Sequence, residues 1–136
     1  MKRILVAEDN KLILETIAMS LTREGYEIIK VPDGKECLRI LGETDVDLLI
    51  TDLYMPYISG HEVISTVRNE LKKQYPILVL SFAGQEHSVA KAFGLGADDY
   101  IEKPFSLAEL SIRVSRLLQQ EIKSEKILVF ESKIEA

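Results

Sequence analysis

Polar residues with the chemistry of a cation and phosphoryl site recur along this chain, each at or just beyond the end of an apolar run. They are Glu8, Asp9, Asp52, Ser81 and Lys103. In an open α/β sheet, ligands bind outside the carboxyl ends of the strands, so these scattered residues can meet at one edge. Three carboxylates, a hydroxyl and an ammonium together favour a site for a divalent cation and a phosphoryl group.

Apolar runs and helical apolar stripes alternate along the chain. The runs predict buried strands at residues 4–7, 28–31, 48–50, 77–80 and 99–102. The stripes predict helices at residues 11–23, 34–41, 60–71, 85–94 and 107–121. Right-handed crossovers between the five βα units would place helices on both faces of a parallel sheet.

The first and last helices carry the clearest stripes. Leu12 and Leu14 belong to the inward stripe of the first helix. The last helix has Ser106 as its predicted N-cap, and its inward stripe includes Leu107 and Leu110. We therefore expect these stripes to pack toward the core.

The length and composition fit one globular domain. The chain has 136 residues, of which 46% are hydrophobic and 29% charged, enough for a single core but too few for two full domains. We predict a domain at residues 1–121 and a C-terminal tail at residues 122–136. In the tail, residues 126–131 echo residues 3–8, which indicates either a short apolar run or the first strand of a second domain. An unpaired strand there would favour pairing with another chain, so dimerisation stays open.

Charge and cysteine content exclude several classes of protein. A formal net charge of −5 argues against a nucleic-acid surface, which needs clustered Lys and Arg. The single Cys37 cannot form an internal disulfide, which suits a reducing cytoplasm, and we expect it to be buried on a helix. Acids interrupt the first apolar run well short of a signal-peptide core, so we predict a cytoplasmic location with no signal peptide and no membrane span.

Asp52, at the end of the third strand, is the candidate nucleophile. Carboxylates form acyl phosphates in ATPases that pass through an aspartyl phosphate, although an isolated strand-end acid is more often a cap of the following turn. Glu8 and Asp9 on the neighbouring strand would bring three negative charges together, and a hard divalent cation such as Mg²⁺ relieves that repulsion. Pro104 restricts Lys103 to an extended conformation, from which its ammonium can face phosphoryl oxygens.

Taken together, the motifs resemble the receiver domain of two-component response regulators. The resemblance runs from Lys2 to about Gln120. It rests on residues 4–10 (ILVAEDN), 52–56 (DLYMP) with Gly60, Ser81, residues 96–100 (GADDY) and residues 103–105 (KPF). It implies a flavodoxin-like, doubly wound α/β fold with five helices and five parallel strands in the order 2-1-3-4-5. It also implies a signalling phosphoprotein that catalyses only its own phosphorylation and slow dephosphorylation.

The resemblance further implies how a metal ion is held. Asp52 is the phosphoacceptor, and the cofactor is Mg²⁺, with Mn²⁺ as an alternative. Asp9, Asp52 and the backbone carbonyl of Tyr54 are the implied ligands. Glu8 acts through water.

The resemblance assigns phosphoryl binding to Lys103, to the Ser81 hydroxyl and to the backbone N–H of Phe82. It also implies a switch. Phosphorylation draws Ser81 inward, and Tyr100 rotates into the space left, which changes the surface formed by the fourth helix, fifth strand and fifth helix.

Two kinds of partner follow from the resemblance. The phosphoryl donor is a histidine kinase or a histidine phosphotransfer protein, expected to dock near Asn10, Lys11, Leu14 and the loop at Pro104. An output partner or output domain is expected to read the face at Lys91, Glu102 and Ser106. Direct contact with nucleic acid or a membrane is not expected.

Three residues near the site bear on rate. The position after Ser81 is usually small in receivers, whereas here the Phe82 ring could crowd the mouth of the site or contact a partner. Tyr54 and Ala83 occupy positions that tune water access in the family. A bulky Tyr54 implies slow autodephosphorylation.

Two other functions stay open. A Mg²⁺-dependent phosphohydrolase would use the same nucleophile, but Tyr54 stands where such enzymes commonly place a general acid. The other is a phosphorylation-independent, flavodoxin-like interaction module, although Glu8 and Asp9 would repel a flavin phosphate. Neither histidine suits catalysis, since His61 and His87 begin helices and are expected on helix surfaces.

Overall fold

Strands and helices alternate strictly along residues 1–119, the part of the chain that the computed structural model describes. The strands are β1 (Arg3–Ala7), β2 (Glu27–Val31), β3 (Leu48–Asp52), β4 (Ile77–Phe82) and β5 (Asp99–Lys103). The helices are α1 (Lys11–Arg23), α2 (Gly34–Leu41), α3 (Gly60–Asn69), α4 (Glu86–Leu95) and α5 (Leu107–Leu118). Every predicted strand and helix is present. The predicted end of the last helix at residue 121 and the tail at 122–136 lie outside the described residues.

The five strands form one parallel sheet in the order β2-β1-β3-β4-β5, which confirms the predicted fold class and strand order. β1 and β3 pair as far as Ala7 opposite Thr51. β4 and β5 pair as far as Phe82 opposite Lys103. Because all strands run the same way, their last residues meet at one edge of the sheet.

Alternate strand residues pack on opposite faces of the sheet. Leu5 and Leu49 belong to the cluster that includes buried residues of α2, α3 and α4. Ile4 and Ile50 belong to the cluster that includes buried residues of α1 and α5. All five residues of β3 are buried, as expected for a central strand covered on both faces.

Four of the five helices begin at a side-chain cap. Asn10, Asp33, Ser59 and Ser106 each accept a hydrogen bond from the backbone N–H three residues further on, which satisfies a donor that the helix leaves free. The predicted Ser106 cap is confirmed, with the Glu109 N–H donating to Ser106 Oγ at 3.0 Å. The Asn10 cap starts α1 directly after the acidic pair.

Two leucines of the predicted stripes lie at the surface instead. Leu12 is 77% exposed and Leu107 is 44% exposed, whereas Leu14 and Leu110 are buried. Both exposed leucines belong to the first turn of their helix and line a groove that also includes Lys103 at the end of β5. The helical period therefore identified the stripe but not the point at which the sheet stops covering it.

Cys37 is fully buried on α2, as predicted, and burial raises the pKa of its thiol to about 12. Among the helices of residues 1–119, none combines the length and apolar character needed to cross a bilayer.

Arg68 joins three separate segments at the edge where β4 and β5 begin. Its side chain is only 11% exposed. The guanidinium donates hydrogen bonds of 2.8 to 3.1 Å to the carbonyls of Lys73, Tyr75 and Gly96 and to the carboxylate of Asp98. The same carboxylate accepts the N–H of Ile77, the first residue of β4. The guanidinium therefore makes five hydrogen bonds, which is its full number of donors.

Candidate functional site

Three carboxylates meet at the edge where β1 and β3 end. Glu8 and Asp9 follow β1, and Asp52 is the last residue of β3. One oxygen from each carboxylate lies within 4.8 Å of the others. Glu8 is fully buried and Asp52 is 5% exposed, whereas Asp9 is open to solvent. The structure thus brings together the three acids that the sequence analysis selected.

The Lys103 ammonium lies between the two buried carboxylates. Nζ donates to Glu8 Oε1 and, at 2.9 Å, to Asp52 Oδ2. Burial lowers the pKa of Lys103, but hydrogen bonds to Glu8 and Asp52 outweigh that effect and leave the pKa above its ordinary value. The lysine is therefore a charged residue of the site, although its side chain is only 4% exposed.

The buried Glu8 carboxyl is hard to ionise. Burial raises the pKa of Glu8 to about 7, with a further rise from the hydrogen bond to Asp52 and an opposing effect of Lys103. One ammonium faces three carboxylates, so the cluster retains negative charge. Carboxylate oxygens are hard ligands, and Mg²⁺ and Mn²⁺ prefer such ligands. The cluster therefore has the donor set and the charge to hold a divalent cation.

Backbone groups orient Asp52. Its Oδ1 accepts the Leu53 N–H at 2.7 Å and the Tyr54 N–H at 3.4 Å. A Cβ placed on Gly60 would lie 2.1 Å from the Asp52 carbonyl oxygen, so glycine allows α3 to begin this close to the end of β3. Asp52 thus caps its own turn and also belongs to the acidic cluster.

Ser81 and Tyr100 line the same cavity, of about 310 Å³. Ser81 is buried at the end of β4, whereas the Tyr100 side chain is 42% exposed on β5. The Tyr100 ring contacts Phe93 of α4 edge to face, with 6.0 Å between centroids. The predicted output residues Lys91, Glu102 and Ser106 are all exposed. The buried Ser81 hydroxyl and the exposed Tyr100 ring thus both border this cavity.

The Phe82 ring lies beside the acidic cluster. It is 53% exposed, and its centroid is 4.8 Å from Lys103 Nζ, a distance at which a cation and a ring face attract. The ring lines both the cavity of Ser81 and Tyr100 and a groove of about 350 Å³ against α1. Ala83, the next residue, is exposed in the turn that precedes α4.

The groove includes one part of the surface predicted for the phosphoryl donor, the loop at Pro104. Its lining includes Leu12, Pro104 and Leu107, and the Lys103-Pro104 peptide bond is cis. Lys11 is exposed, but Leu14 is buried. The prediction that Leu14 contributes surface was therefore wrong, because it faces the core while Leu12 faces outward.

Two residues that the sequence analysis missed bind groups of the site. The Phe82 N–H donates to Gln85 Oε1 at 2.7 Å. Ser88 bonds twice, its Oγ with the Tyr54 hydroxyl and its carbonyl with His61 Nε2 at 2.8 Å. No periodicity or motif marks these residues, since the Ser88 contacts cross 34 and 27 positions of sequence.

His61 differs from its prediction, and His87 does not. His61 is half-buried, because α3 packs against α4 there, and its ring meets Tyr54 edge to face at 6.4 Å. The prediction of a plain surface position was wrong for this residue. His87 is exposed, as predicted.

The sequence profile of one protein family, described as the response regulator receiver domain, matches residues 4–115. This chain belongs to that family. As a receiver domain it is part of a signalling family rather than a family of metabolic enzymes. The match runs from Ile4 in β1 to Ser115 in α5 and includes every residue of the site described above.

Curated relatives and solved structures agree with this assignment. Response regulator RR06 of Streptococcus pneumoniae is 41% identical over 117 residues, which are 86% of this chain and 53% of RR06. Response regulator SaeR of Staphylococcus epidermidis is 36% identical over 124 residues, 91% of this chain and 53% of SaeR. The chain thus spans about half the length of these relatives. The receiver domain of Francisella response regulator 1452 superposes with a TM-score of 0.81 at 30% identity, covering 89% of this chain and 99% of that one.

Proposed function

We propose that this receiver domain accepts a phosphoryl group on Asp52 from the phosphohistidine of a histidine kinase or a histidine phosphotransfer protein. One observation carries the proposal: the buried Asp52 carboxylate is fixed by backbone N–H groups, lies 2.9 Å from Lys103 Nζ and belongs to a cluster of three carboxylates. An Asp52 oxygen forms the new bond to phosphorus while the P–N bond of the donor breaks. The electron pair of that bond stays with the donor imidazole.

Several residues of this chain are proposed to bind a divalent cation. Asp9, Asp52 and the Tyr54 carbonyl are the proposed metal ligands, with Glu8 acting through water. A divalent cation held by these residues, Mg²⁺ or Mn²⁺, would supply positive charge that offsets the carboxylates and the phosphoryl group. The exposed position of Asp9 and the buried position of Glu8 suit a direct and an indirect role respectively.

Phosphoryl oxygens are bound by groups that surround Asp52. Lys103 exchanges its hydrogen bond with Asp52 for one with the phosphoryl group, since an ammonium on a flexible stem can turn between neighbouring acceptors. The Ser81 hydroxyl and the Phe82 N–H supply two further donors from the end of β4. Tyr54 and Ala83 control the access of water and hence the rate of hydrolysis.

Ser81 and Tyr100 couple phosphorylation of Asp52 to a change at the protein surface. Because both residues line one cavity, inward movement of Ser81 opens space that the half-exposed Tyr100 ring can fill. Rotation of the Tyr100 ring alters the exposed face at Lys91, Glu102 and Ser106, to which a partner or an output domain binds. This is a shift between two packings, driven by the charge of the phosphoryl group.

The donor docks on the groove against α1. Its apolar lining, with Leu12 77% exposed, lies next to Lys103 and so places a docked phosphohistidine beside Asp52. Asn10 and Lys11 stand at the near end of α1. The proposed compartment is the cytoplasm, which suits the buried thiol of Cys37.

Intact mass spectrometry tests the proposal. The full chain is incubated with acetyl phosphate and Mg²⁺, beside Asp52→Asn and, as a matched control, Asp45→Asn, whose side chain is 77% exposed. We expect the mass of one phosphoryl group on the wild type and on Asp45→Asn, none on Asp52→Asn, and none in the presence of EDTA. An equal adduct on Asp52→Asn, or no adduct on the wild type, would contradict the proposal.

A further inference from the structure

The backbone N–H of Phe82 already has a partner inside the chain. It donates to Gln85 Oε1 at 2.7 Å, within the usual range of a strong N–H to oxygen bond. The atom facing this N–H must be the amide oxygen, because the amide nitrogen of Gln85 is itself a donor. The contact therefore fixes both the position of Gln85 and the orientation of its side-chain amide.

The side chain of Gln85 is directed to the site rather than to its own helix. Gln85 is the N-cap residue of α4, yet it makes no side-chain cap hydrogen bond, unlike the caps of α1, α2, α3 and α5. It is half-buried and follows the turn at Gly84, whose φ of 88° favours glycine. This turn brings the amide back onto the last residue of β4.

Under the proposed function, a phosphoryl oxygen accepts the same N–H that Gln85 Oε1 accepts in the structure. A backbone N–H makes one well-aligned hydrogen bond at a time. We propose that Gln85 is a positioning residue that gates phosphorylation: its amide oxygen holds the Phe82 N–H in the unphosphorylated protein and must leave before the phosphoryl group is bound. The inference rests on the proposed function, since it assigns the Phe82 N–H to a phosphoryl oxygen.

The gate affects phosphorylation of Asp52 and hydrolysis of the acyl phosphate differently. Phosphorylation starts from the protein in which Gln85 holds the N–H, so breaking that bond adds to the barrier. Hydrolysis starts from the phosphorylated protein, in which Gln85 has already been displaced. Removing the Gln85 side chain therefore raises the rate of phosphorylation and leaves the hydrolysis rate as an internal reference.

The kinetic test uses the full chain with acetyl phosphate and Mg²⁺. We compare wild type with Gln85→Ala, Gln85→Glu and, as control, His87→Ala, which truncates an exposed side chain of α4. A net hydrogen-bond contribution of about 0.5–1.5 kcal/mol predicts a phosphorylation rate constant roughly 2- to 10-fold higher for Gln85→Ala, with an unchanged acyl-phosphate half-life. Gln85→Glu keeps an acceptor and adds charge, so its rate should equal or fall below that of the wild type. His87→Ala should match the wild type.

A second measurement tests the hydrogen bond between Gln85 and the Phe82 N–H in the absence of any phosphoryl donor. Amide hydrogen exchange of Phe82 in the unphosphorylated protein should speed up in Gln85→Ala and not in His87→Ala. Equal exchange and equal phosphorylation in Gln85→Ala and wild type would overturn the gate while leaving Asp52 as phosphoacceptor. A rise of phosphorylation and hydrolysis by the same factor would also overturn it, because general loosening of the loop acts on both. Loss of phosphorylation from the wild type itself would instead remove the proposed function.

Discussion

Substitution of Glu8 by Gln should make the protein more stable at neutral and higher pH. Glu8 is fully buried, and burial first of all, then the bond to Asp52, raises the pKa of this carboxyl from 4.5 to about 7. The folded protein therefore holds a proton on Glu8 that the unfolded chain loses near pH 4.5. A raised pKa adds stability below the unfolded value, and this stability is lost as pH rises through the folded value.

The size of the effect follows from the same two values. The interval from 4.5 to about 7, at 1.36 kcal/mol per pH unit, corresponds to about 3 kcal/mol of unfolding free energy. Gln has the shape of the protonated acid and does not titrate. Wild type and Glu8→Gln should therefore differ little near pH 5, and the variant should be more stable by up to about 3 kcal/mol at pH 8.

Urea unfolding at a series of pH values from 5 to 8, with EDTA present, measures this difference directly. Taking the difference between two proteins cancels the titration of every other group that they share. Glu86→Gln, which changes an exposed carboxylate on α4, is the matched control for the loss of one carboxylate. Adding saturating Mg²⁺ should reduce the advantage of Glu8→Gln, because a nearby cation favours the ionised acid.

Two results would refute this reasoning. A Glu8→Gln advantage that stays constant from pH 5 to pH 8 would show that the Glu8 carboxyl does not titrate there. A variant that becomes less stable relative to wild type as pH rises would show that the ion pair with Lys103 outweighs burial of the charge.

Three further outcomes are expected. Arg68→Met should cost about 1–3 kcal/mol in urea unfolding, because it leaves three carbonyls without the donor that they share. Arg39→Met, which removes an exposed guanidinium paired within its own helix, should cost less than about 0.5 kcal/mol, and similar losses would be evidence against the network. Phe82→Ala should raise the rate of phosphorylation by acetyl phosphate about 2- to 5-fold, because it removes a contact worth about 0.5–1 kcal/mol that holds Lys103 in place; equal rates would exclude a role of the ring. Tyr54→Asn should shorten the acyl-phosphate half-life by opening the site to water, and a longer half-life would reverse the role given to Tyr54.

Much of the fold could be predicted because its signals are local. Apolar runs and helical stripes located all ten elements, and Ser106 was recognised as a cap from its spacing to Glu109. The errors concern side chains whose burial depends on how far the sheet covers a helix, which a local pattern does not show. Leu12 and Leu107 fit the helical period yet lie beyond the cover of the sheet, and Leu14 was assigned to a docking surface although the same period points it inward.

The residues of the site could also be predicted, because strand direction places them together. Parallel strands end at one edge, so Glu8, Asp9, Asp52, Ser81 and Lys103 meet there whatever the details of packing. Their functional roles stay predictions, for which phosphorylation assays are the direct test.

The order of elements, the parallel sheet and the set of chemical groups at its edge follow from the sequence alone, because they depend on period, chirality and strand direction. How those groups are engaged depends on packing in three dimensions: packing makes Glu8 and Asp52 share Lys103 and lets Gln85 hold the Phe82 N–H. Packing also lets Ser88 join Tyr54 to His61. Such contacts arise from the packing of elements distant in sequence, where burial and side-chain direction, rather than any local pattern, select the hydrogen-bond partner.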